Sequence, residues 1–386
     1  MAHRLLIAAA LASGTSTVRA VTRSEDVGRT LCCLEALGAR WSADGSAYRV
    51  TGTGARSVAR TASALPRMDC GESASTLRFL IPVALAVSGG GVFTGRGRLM
   101  QRPHAPYRTL FDEKRIFYRQ DGDTLTVRGT LKAGRYQLPG DVSSQFFTGL
   151  LFALSALDGE SVLESLTPLQ SAPYVSMTLE ALAKAGVHVT PSDGPRFRIR
   201  GQPCRAFRAA VEGDWSQAAF WYAANFLGGD VEIRGLNPVS AQGDRAVTDL
   251  FRRLKRRGDV EIDVSDCPDL LPPLAVMSAV RHGSTRFVRA QRLRLKESDR
   301  LRAMSRLLRA LGGRAEEGPD FLRVAGGGLR GGTVDGQRDH RIIMAAAVAA
   351  CACADPVTIL GAEAVRKSYP AFWDDYQCLG GSVHVL

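Results

Sequence analysis

The stretch Lys296-Glu297-Ser298-Asp299-Arg300 concentrates ionisable side chains and a helix N-cap within a pentapeptide. Ser298 or Asp299 can cap the helix read from Leu301, Met304, Leu307, Leu308 and Leu311, which recur at helical spacing. Lys296 and Glu297 then stand just ahead of a helix N-terminus, where backbone N–H groups and the helix dipole favour anions. A capped surface helix with solvated charges would use the same residues, so the motif gains meaning only from the pieces that accompany it. Asp339-His340-Arg341 and Gly140-Asp-Val-Ser143-Ser144-Gln145 each stand at the start of an Ala/Leu-rich run. Asp269 after Pro268 can be read as one more N-cap, His340 as a satisfied core histidine, and Arg78 as a structural ion-pair partner.

The elements that must position these residues repeat. A theme recurs at roughly 60–70 residues: a glycine or small polar residue, an Ala/Leu-rich helix, a short β-branched strand, an amphipathic helix ending near Leu-Gly, and another strand. Units start at Ala2, Gly71, Gly140, Gly213, Cys267 and Asp339, with strands expected at Thr15–Val18, Val92–Thr94, Ser161–Leu163, Val231–Ile233, Thr285–Val288 and Val357–Ile359. The starts Gly140-Asp-Val-Ser-Ser-Gln145 and Gly213-Asp-Trp-Ser-Gln217 are near copies. A helix that is apolar all round is buried. Three such helices per domain therefore predict helices in the middle and sheets outside. A chain of 386 residues is too long for one ordinary core. The break is placed near Glu212, giving domains 1–211 and 212–386, with helix N-termini converging on a cleft suited to phosphates and carboxylates.

The net charge is +12, from 50 Lys and Arg against 38 Asp and Glu, which favours anionic partners. The basic residues are scattered, and the single run, Arg252 to Arg257, reads as the solvated face of a helix. No nucleic-acid-binding signature is present, so no nucleic-acid partner is expected. The start Met1-Ala-His-Arg-Leu-Leu-Ile-Ala-Ala-Ala-Leu-Ala12 imitates a secretory signal but also fits the buried helix of a repeat, the reading preferred because the unit recurs. No apolar stretch reaches the ~20 residues that span a bilayer, so no membrane partner is expected. Eight cysteines lack metal-ligand spacing and read mostly as small buried hydrophobes in a reducing cytoplasm; no metal is expected.

Taken in order, Ala2-His-Arg4, Glu72-Ser-Ala-Ser-Thr-Leu-Arg78, Arg98-Leu-Met-Gln-Arg-Pro103, Gly140–Gln145, Ser171-Ala-Pro-Tyr174, Pro268-Asp269, Lys296–Arg300, Asp339–Arg341 and Lys367 resemble the motifs of the enolpyruvyl transferases, specifically the EPSP synthase family, over essentially the whole chain. Each motif alone is weak; together in order they are strong. The resemblance implies an α/β fold of two inside-out α/β barrels. It implies transfer of the enolpyruvyl group of phosphoenolpyruvate to the 5-hydroxyl of shikimate 3-phosphate, with release of phosphate. These small-molecule substrates are the expected partners, with no cofactor, in a cytoplasmic monomer.

By the same resemblance, Arg98, Gln145 and Lys367 hold the phosphate of phosphoenolpyruvate, and Arg300 and Arg341 its carboxylate. Ser143, Ser144, Gln145, Ser171 and Lys296 meet shikimate 3-phosphate, Arg4 its carboxylate, and Tyr174 lines that pocket. Arg suits two-point recognition of such groups. Proton transfer is divided between carboxylates: Asp269 as base at the attacking hydroxyl and Glu297 as acid at the methylene carbon, with His340 adjacent. Arg78 is left outside the site.

The chain departs from the family in two places. The family carries a Ser-Lys-Ser-type segment immediately before the position of Met1, whose lysine contacts both substrates; without it, and without the strand preceding it, the polypeptide is expected to be severely impaired. A start assigned too late is the preferred explanation. Ala74 stands where the family usually has Gly, which predicts weaker phosphoenolpyruvate binding and lower glyphosate sensitivity. Arg292 replaces a polar amide and receives no role. Two alternatives are a catalytically dead binding paralogue and the enolpyruvyl transferase acting on UDP-N-acetylglucosamine. The latter's hallmark is a loop cysteine, absent from Arg98–Pro103.

Overall fold

The computed structural model describes residues 1–54, 64–192 and 194–386. The chain divides into two compact units, Met1–Glu212 and Gly213–Leu386, and each builds its own apolar core. The apolar helices of the repeats supply those cores: Ala2–Leu11, Ala74–Ser88 and Ser144–Ser155 in the first unit, Trp215–Phe226, Leu271–Val280 and His340–Ala350 in the second. The signal-like N-terminus is thus a core helix, buried from Arg4 to Leu11.

Local chemistry sets the helix ends. Ser73 caps Ala74–Ser88 by accepting from Thr76 N, and Gly89 ends it in the left-handed region at φ 71°. This helix packs on Ser144–Ser155. Gly149 makes the approach possible, because a Cβ there would lie 2.5 Å from both Arg78 O and Tyr107 Oη.

The sheets repeat one plan. Arg67–Asp69 runs parallel to Gly90–Thr94, which pairs antiparallel with Thr124–Arg128, itself hairpinned to Phe117–Asp121. Arg135–Leu138, Glu160–Ser165, Arg196–Arg200 and Val189–Ser192 do the same. In the third sheet Arg208–Ala210, from the far end of the unit, runs beside Ser13–Arg19, followed by Ala47–Thr53 and Arg40–Asp44. Strand burial alternates, as in the pattern of Glu160–Ser165, so one face meets the helices. In the second unit Val260–Asp263, Ser284–Val288, Leu322–Ala325 and Arg314–Glu317 keep the plan, while Gly332–Asp335 and Val357–Leu360 form a parallel pair.

Three expectations need correction. The second helix of a complete repeat is followed by a hairpin and then a parallel strand, not a single strand. Asp44-Gly45 and Asp121-Gly122, with glycine φ of 56° and 54°, sit at hairpin tips and were the missed turn signal. Val231–Ile233 forms no strand. No described strand pairs with it, and the Asn225 side chain holds its backbone instead, bonding Val231 N at 2.7 Å and Val231 O at 2.8 Å. The cysteines divide: Cys33, Cys70, Cys204 and Cys267 are buried, whereas Cys32, Cys351 and Cys378 are exposed. Among the described residues no helix is long and apolar enough to cross a membrane.

Candidate active site

In the second unit three helix starts bring the chemistry together. Asp299 caps Arg300–Ala310 by accepting from Arg302 N, which settles the choice between Ser298 and Asp299. Ser298 is free of capping duty and donates instead to Asp339 Oδ2 at 2.9 Å. Asp339 caps His340–Ala350 through Arg341 N at 3.0 Å. Asp269 lies in the turn Pro268–Leu270 that opens into Leu271–Val280.

Arg300 is the hub. Its Nε lies 2.9 Å from Asp339 Oδ2, its Nη1 2.8 Å from Asp269 Oδ1, and its Nη2 2.7 Å from Glu297 Oε2. Its side chain is 2% exposed. Asp269 also accepts from Lys296 Nζ at 3.3 Å and from Arg341 Nη2 at 3.1 Å. Three carboxylates and three cations thus interlock, as a buried ionic cluster must.

The electrostatics follow. Burial alone would raise the pKa of Asp269, but Arg341, Lys296 and Arg300 outweigh it and hold that carboxyl well below the usual range. Asp339 is likewise lowered, burial being overcome by Arg300. Burial alone would lower the pKa of Arg300, but Asp339, Glu297 and Asp269 raise it. Burial pushes Lys296 down against the pull of Asp269. Burial, then Arg341, lowers His340 to about 4, so its ring is neutral at neutral pH. Lys367 donates to the carbonyl of Arg338, next to the Asp339 cap. Arg292 is buried and donates to Ser265 O at 2.7 Å, a scaffold contact.

The first unit holds a different set. Ser143 caps Ser144–Ser155 by accepting from Gln145 N, which places Ser144 and Gln145 in the opening turn. Gln145 is fixed from both ends: Arg78 Nη1 donates to its Oε1 at 2.9 Å, and its Nε2 donates to Ser75 Oγ at 3.0 Å. Arg78 also reaches Ser143 Oγ at 3.5 Å and Pro103 O at 3.0 Å. Ala74 is the first residue of its helix, nearly buried behind the Ser73 cap. Ser171 adopts φ 57° and starts Ala172–Lys184, with Tyr174 in the first turn. Arg4 is 7% exposed; it donates to Thr178 Oγ1 at 2.9 Å and Tyr174 O at 3.0 Å and lies over the Phe79 ring. Burial lowers its pKa to about 10. Arg98 is exposed ahead of the turn Leu99–Gln101.

The second-unit residues picked from sequence, Asp269, Lys296, Glu297, Arg300 and Arg341, are joined in one network. In the first unit Ser143 and Gln145 are joined through Arg78, and Arg4 is joined to Tyr174. Two residues were given no role from sequence. Asp339 is the wholly buried anchor of Arg300, and an Asp capping a helix beside a conspicuous arginine motif was the available signal. Ser75 anchors Gln145, and no sequence signal marked it.

A family model described as EPSP synthase (3-phosphoshikimate 1-carboxyvinyltransferase) matches residues 1–376. A 3-phosphoshikimate 1-carboxyvinyltransferase of Clostridium acetobutylicum is 40% identical over 405 residues, covering 100% of this chain and 94% of the relative. One from Clostridium kluyveri is 40% identical over 400 residues, covering 99% and 93%. The solved EPSP synthase of Acinetobacter baumannii shares the fold at a TM-score of 0.80 and 23% identity, over 99% of this chain and 94% of that one. Motif order, repeat architecture and these matches agree: the chain belongs to the EPSP synthase family.

Proposed function

We propose that this protein transfers the enolpyruvyl group of phosphoenolpyruvate to the 5-hydroxyl of shikimate 3-phosphate, releasing phosphate. The observation that carries the reading is the cluster in which Asp269 receives Arg300, Arg341 and Lys296 while Arg300 also holds Glu297. Such a cluster can exchange carboxylate partners within the protein for carboxylate groups of a substrate.

In this reading Arg300 and Arg341 turn to the phosphoenolpyruvate carboxylate, and Arg98, Gln145 and Lys367 take its phosphate. Ser143, Ser144, Gln145, Ser171 and Lys296 take shikimate 3-phosphate, with Arg4 at the shikimate carboxylate and Tyr174 lining its pocket. Protonation of the methylene carbon and attack of the hydroxyl oxygen on the adjacent carbon give a tetrahedral intermediate. Loss of phosphate and of a proton from the methyl group so formed then restores the double bond.

Substrate binding itself prepares the acid and base. Asp269 flanked by three cations is a weak base; once substrate anions occupy those cations, its proton affinity rises toward what the hydroxyl requires. Glu297 can deliver a proton only after carrying one, which requires Arg300 to leave it for the substrate. His340, neutral and buried, contributes as a hydrogen-bonding group and not as an imidazolium. The Ala74 methyl narrows the approach to phosphoenolpyruvate and lowers sensitivity to glyphosate. The protein acts as a cytoplasmic monomer, a point that sedimentation analysis tests.

The test is phosphate release with both substrates, using the chain together with any residues its gene encodes ahead of Met1. Release that depends on shikimate 3-phosphate supports the reading. No release from folded protein that binds both substrates would replace it with the dead-paralogue reading.

A further inference from the structure

The first unit has a depression of about 330 Å³ lined by His104, Ala105, Arg108, Tyr118, Arg119 and Gln120. This is the lower end of the size of small-ligand sites. Two of its lining residues carry unmet polar atoms: His104 Nδ1 and Tyr118 Oη are buried with no hydrogen-bond partner among the described residues. His104 as a whole is 5% exposed. Its other ring nitrogen, Nε2, lies 3.2 Å from Leu99 O. A carbonyl only accepts, so Nε2 carries the proton and Nδ1 presents a lone pair. Burial, then the nearby Arg78, holds the ring pKa down to about 4, so this tautomer persists at neutral pH.

Arg108 and Arg119 are exposed at the same depression. Arg119 pairs with Asp121 at 3.3 Å, but both side chains are largely in solvent and such a pair contributes little. An unmet buried polar atom is costly, and native folds keep few of them. Here an acceptor, a phenol and two cations share one small hollow.

We propose that this depression is a binding site for a small hydroxylated anion, whose phosphate or carboxylate meets Arg108 and Arg119 and whose hydroxyl, once the wall of the depression opens onto the two buried atoms, donates to His104 Nδ1 beside Tyr118 Oη. Two lining side chains also grip the turn that follows Arg98: His104 Nε2 donates to Leu99 O, and Gln120 Nε2 donates to Met100 O at 2.7 Å. Occupancy therefore fixes the turn Leu99–Gln101. That the turn carries Arg98 to a substrate phosphate rests on the function proposed above; the binding site does not.

D-3-phosphoglycerate, with a phosphate, a carboxylate and a hydroxyl, is the probe, and inorganic phosphate the comparison. Ligand-observed NMR titrations on the intact protein compare wild type with Arg108→Ala/Arg119→Ala, Tyr118→Phe and Arg98→Ala, each checked for an unchanged Tm. The expected result is binding that survives Arg98→Ala, weakens at least tenfold in the double variant and severalfold in Tyr118→Phe, and is tighter than that of inorganic phosphate. Absence of binding at ~10 mM probe, or binding lost in Arg98→Ala and kept in the double variant, would overturn the site. Equal affinity for inorganic phosphate would overturn the role of His104 Nδ1. Amide exchange at Leu99–Gln101 should slow on binding, and unchanged exchange would overturn the link to the turn. None of these readouts requires turnover, so failure here leaves the proposed reaction standing, and failure of the reaction leaves this site standing.

Discussion

Arg4 in the first unit and Arg300 in the second are both buried guanidinium groups, yet their surroundings are opposite. Arg4 meets a hydroxyl, a carbonyl and an aromatic face, with no carboxylate partner among the described residues, and burial lowers its pKa to about 10. Arg300 meets three carboxylates, which raise its pKa despite complete burial. A buried cation without a counter-ion is costly to the fold. Arg4 is therefore best explained by an anion that arrives from outside. Arg300 is neutralised within the protein, and a substrate must compete for it. In the proposed reading Arg4 waits for an anion, whereas Arg300 changes partners when one arrives.

The largest effect that can break this contrast is catalytic. With Asp269 as the proposed base at the hydroxyl, Asp269→Asn should lower kcat by about 10³-fold with substrate binding retained. A kcat within tenfold of wild type would move the base elsewhere. Next is stability. Arg300→Met leaves Asp269, Glu297 and Asp339 without their shared cation and should cost about 3–5 kcal/mol in urea unfolding. Arg4→Met should leave Tm unchanged or higher while weakening shikimate 3-phosphate binding about 100-fold, as loss of a charge-assisted contact implies. A large drop in Tm for Arg4→Met with binding intact would erase the distinction between the two units.

Smaller effects sharpen it. His3 titrates near 3, and His104 and His340 near 4, all lowered chiefly by burial. The unfolded chain takes up these protons near pH 6.5. Histidine burial thus leaves stability full above that pH and drains it as pH falls from about 6.5 to about 4. His340→Gln should flatten this dependence in urea midpoints measured between pH 7.5 and 5; an unchanged slope would contradict the buried neutral ring. The smallest effect is at Ala74, where Ala74→Gly should lower the KM for phosphoenolpyruvate a few-fold and raise glyphosate sensitivity. Unchanged values would remove the steric argument.

Much of this was legible in the sequence because it is local. Ser143 and Asp339 lie at the starts of apolar helices that the repeat marks directly, and the six apolar helices repeat visibly. What was missed depends on distance. Whether Val231–Ile233 forms a strand depends on whether another strand lies alongside, so the run alone over-predicts it. Ser298 bonds Asp339 across 41 residues and Arg4 bonds Thr178 across 174, pairings that no window along the chain contains. The hairpin glycines at 45 and 122 were readable but were absorbed into a simpler repeat.

The most direct measurement is phosphorus NMR of the purified protein, with any residues its gene encodes ahead of Met1, in the presence of phosphoenolpyruvate and, in parallel, shikimate 3-phosphate or UDP-N-acetylglucosamine. The account predicts inorganic phosphate and an enolpyruvyl product formed in equal amounts with shikimate 3-phosphate, abolished by Asp269→Asn, and no turnover with the nucleotide sugar. Turnover with UDP-N-acetylglucosamine, or undiminished turnover by Asp269→Asn, would contradict it.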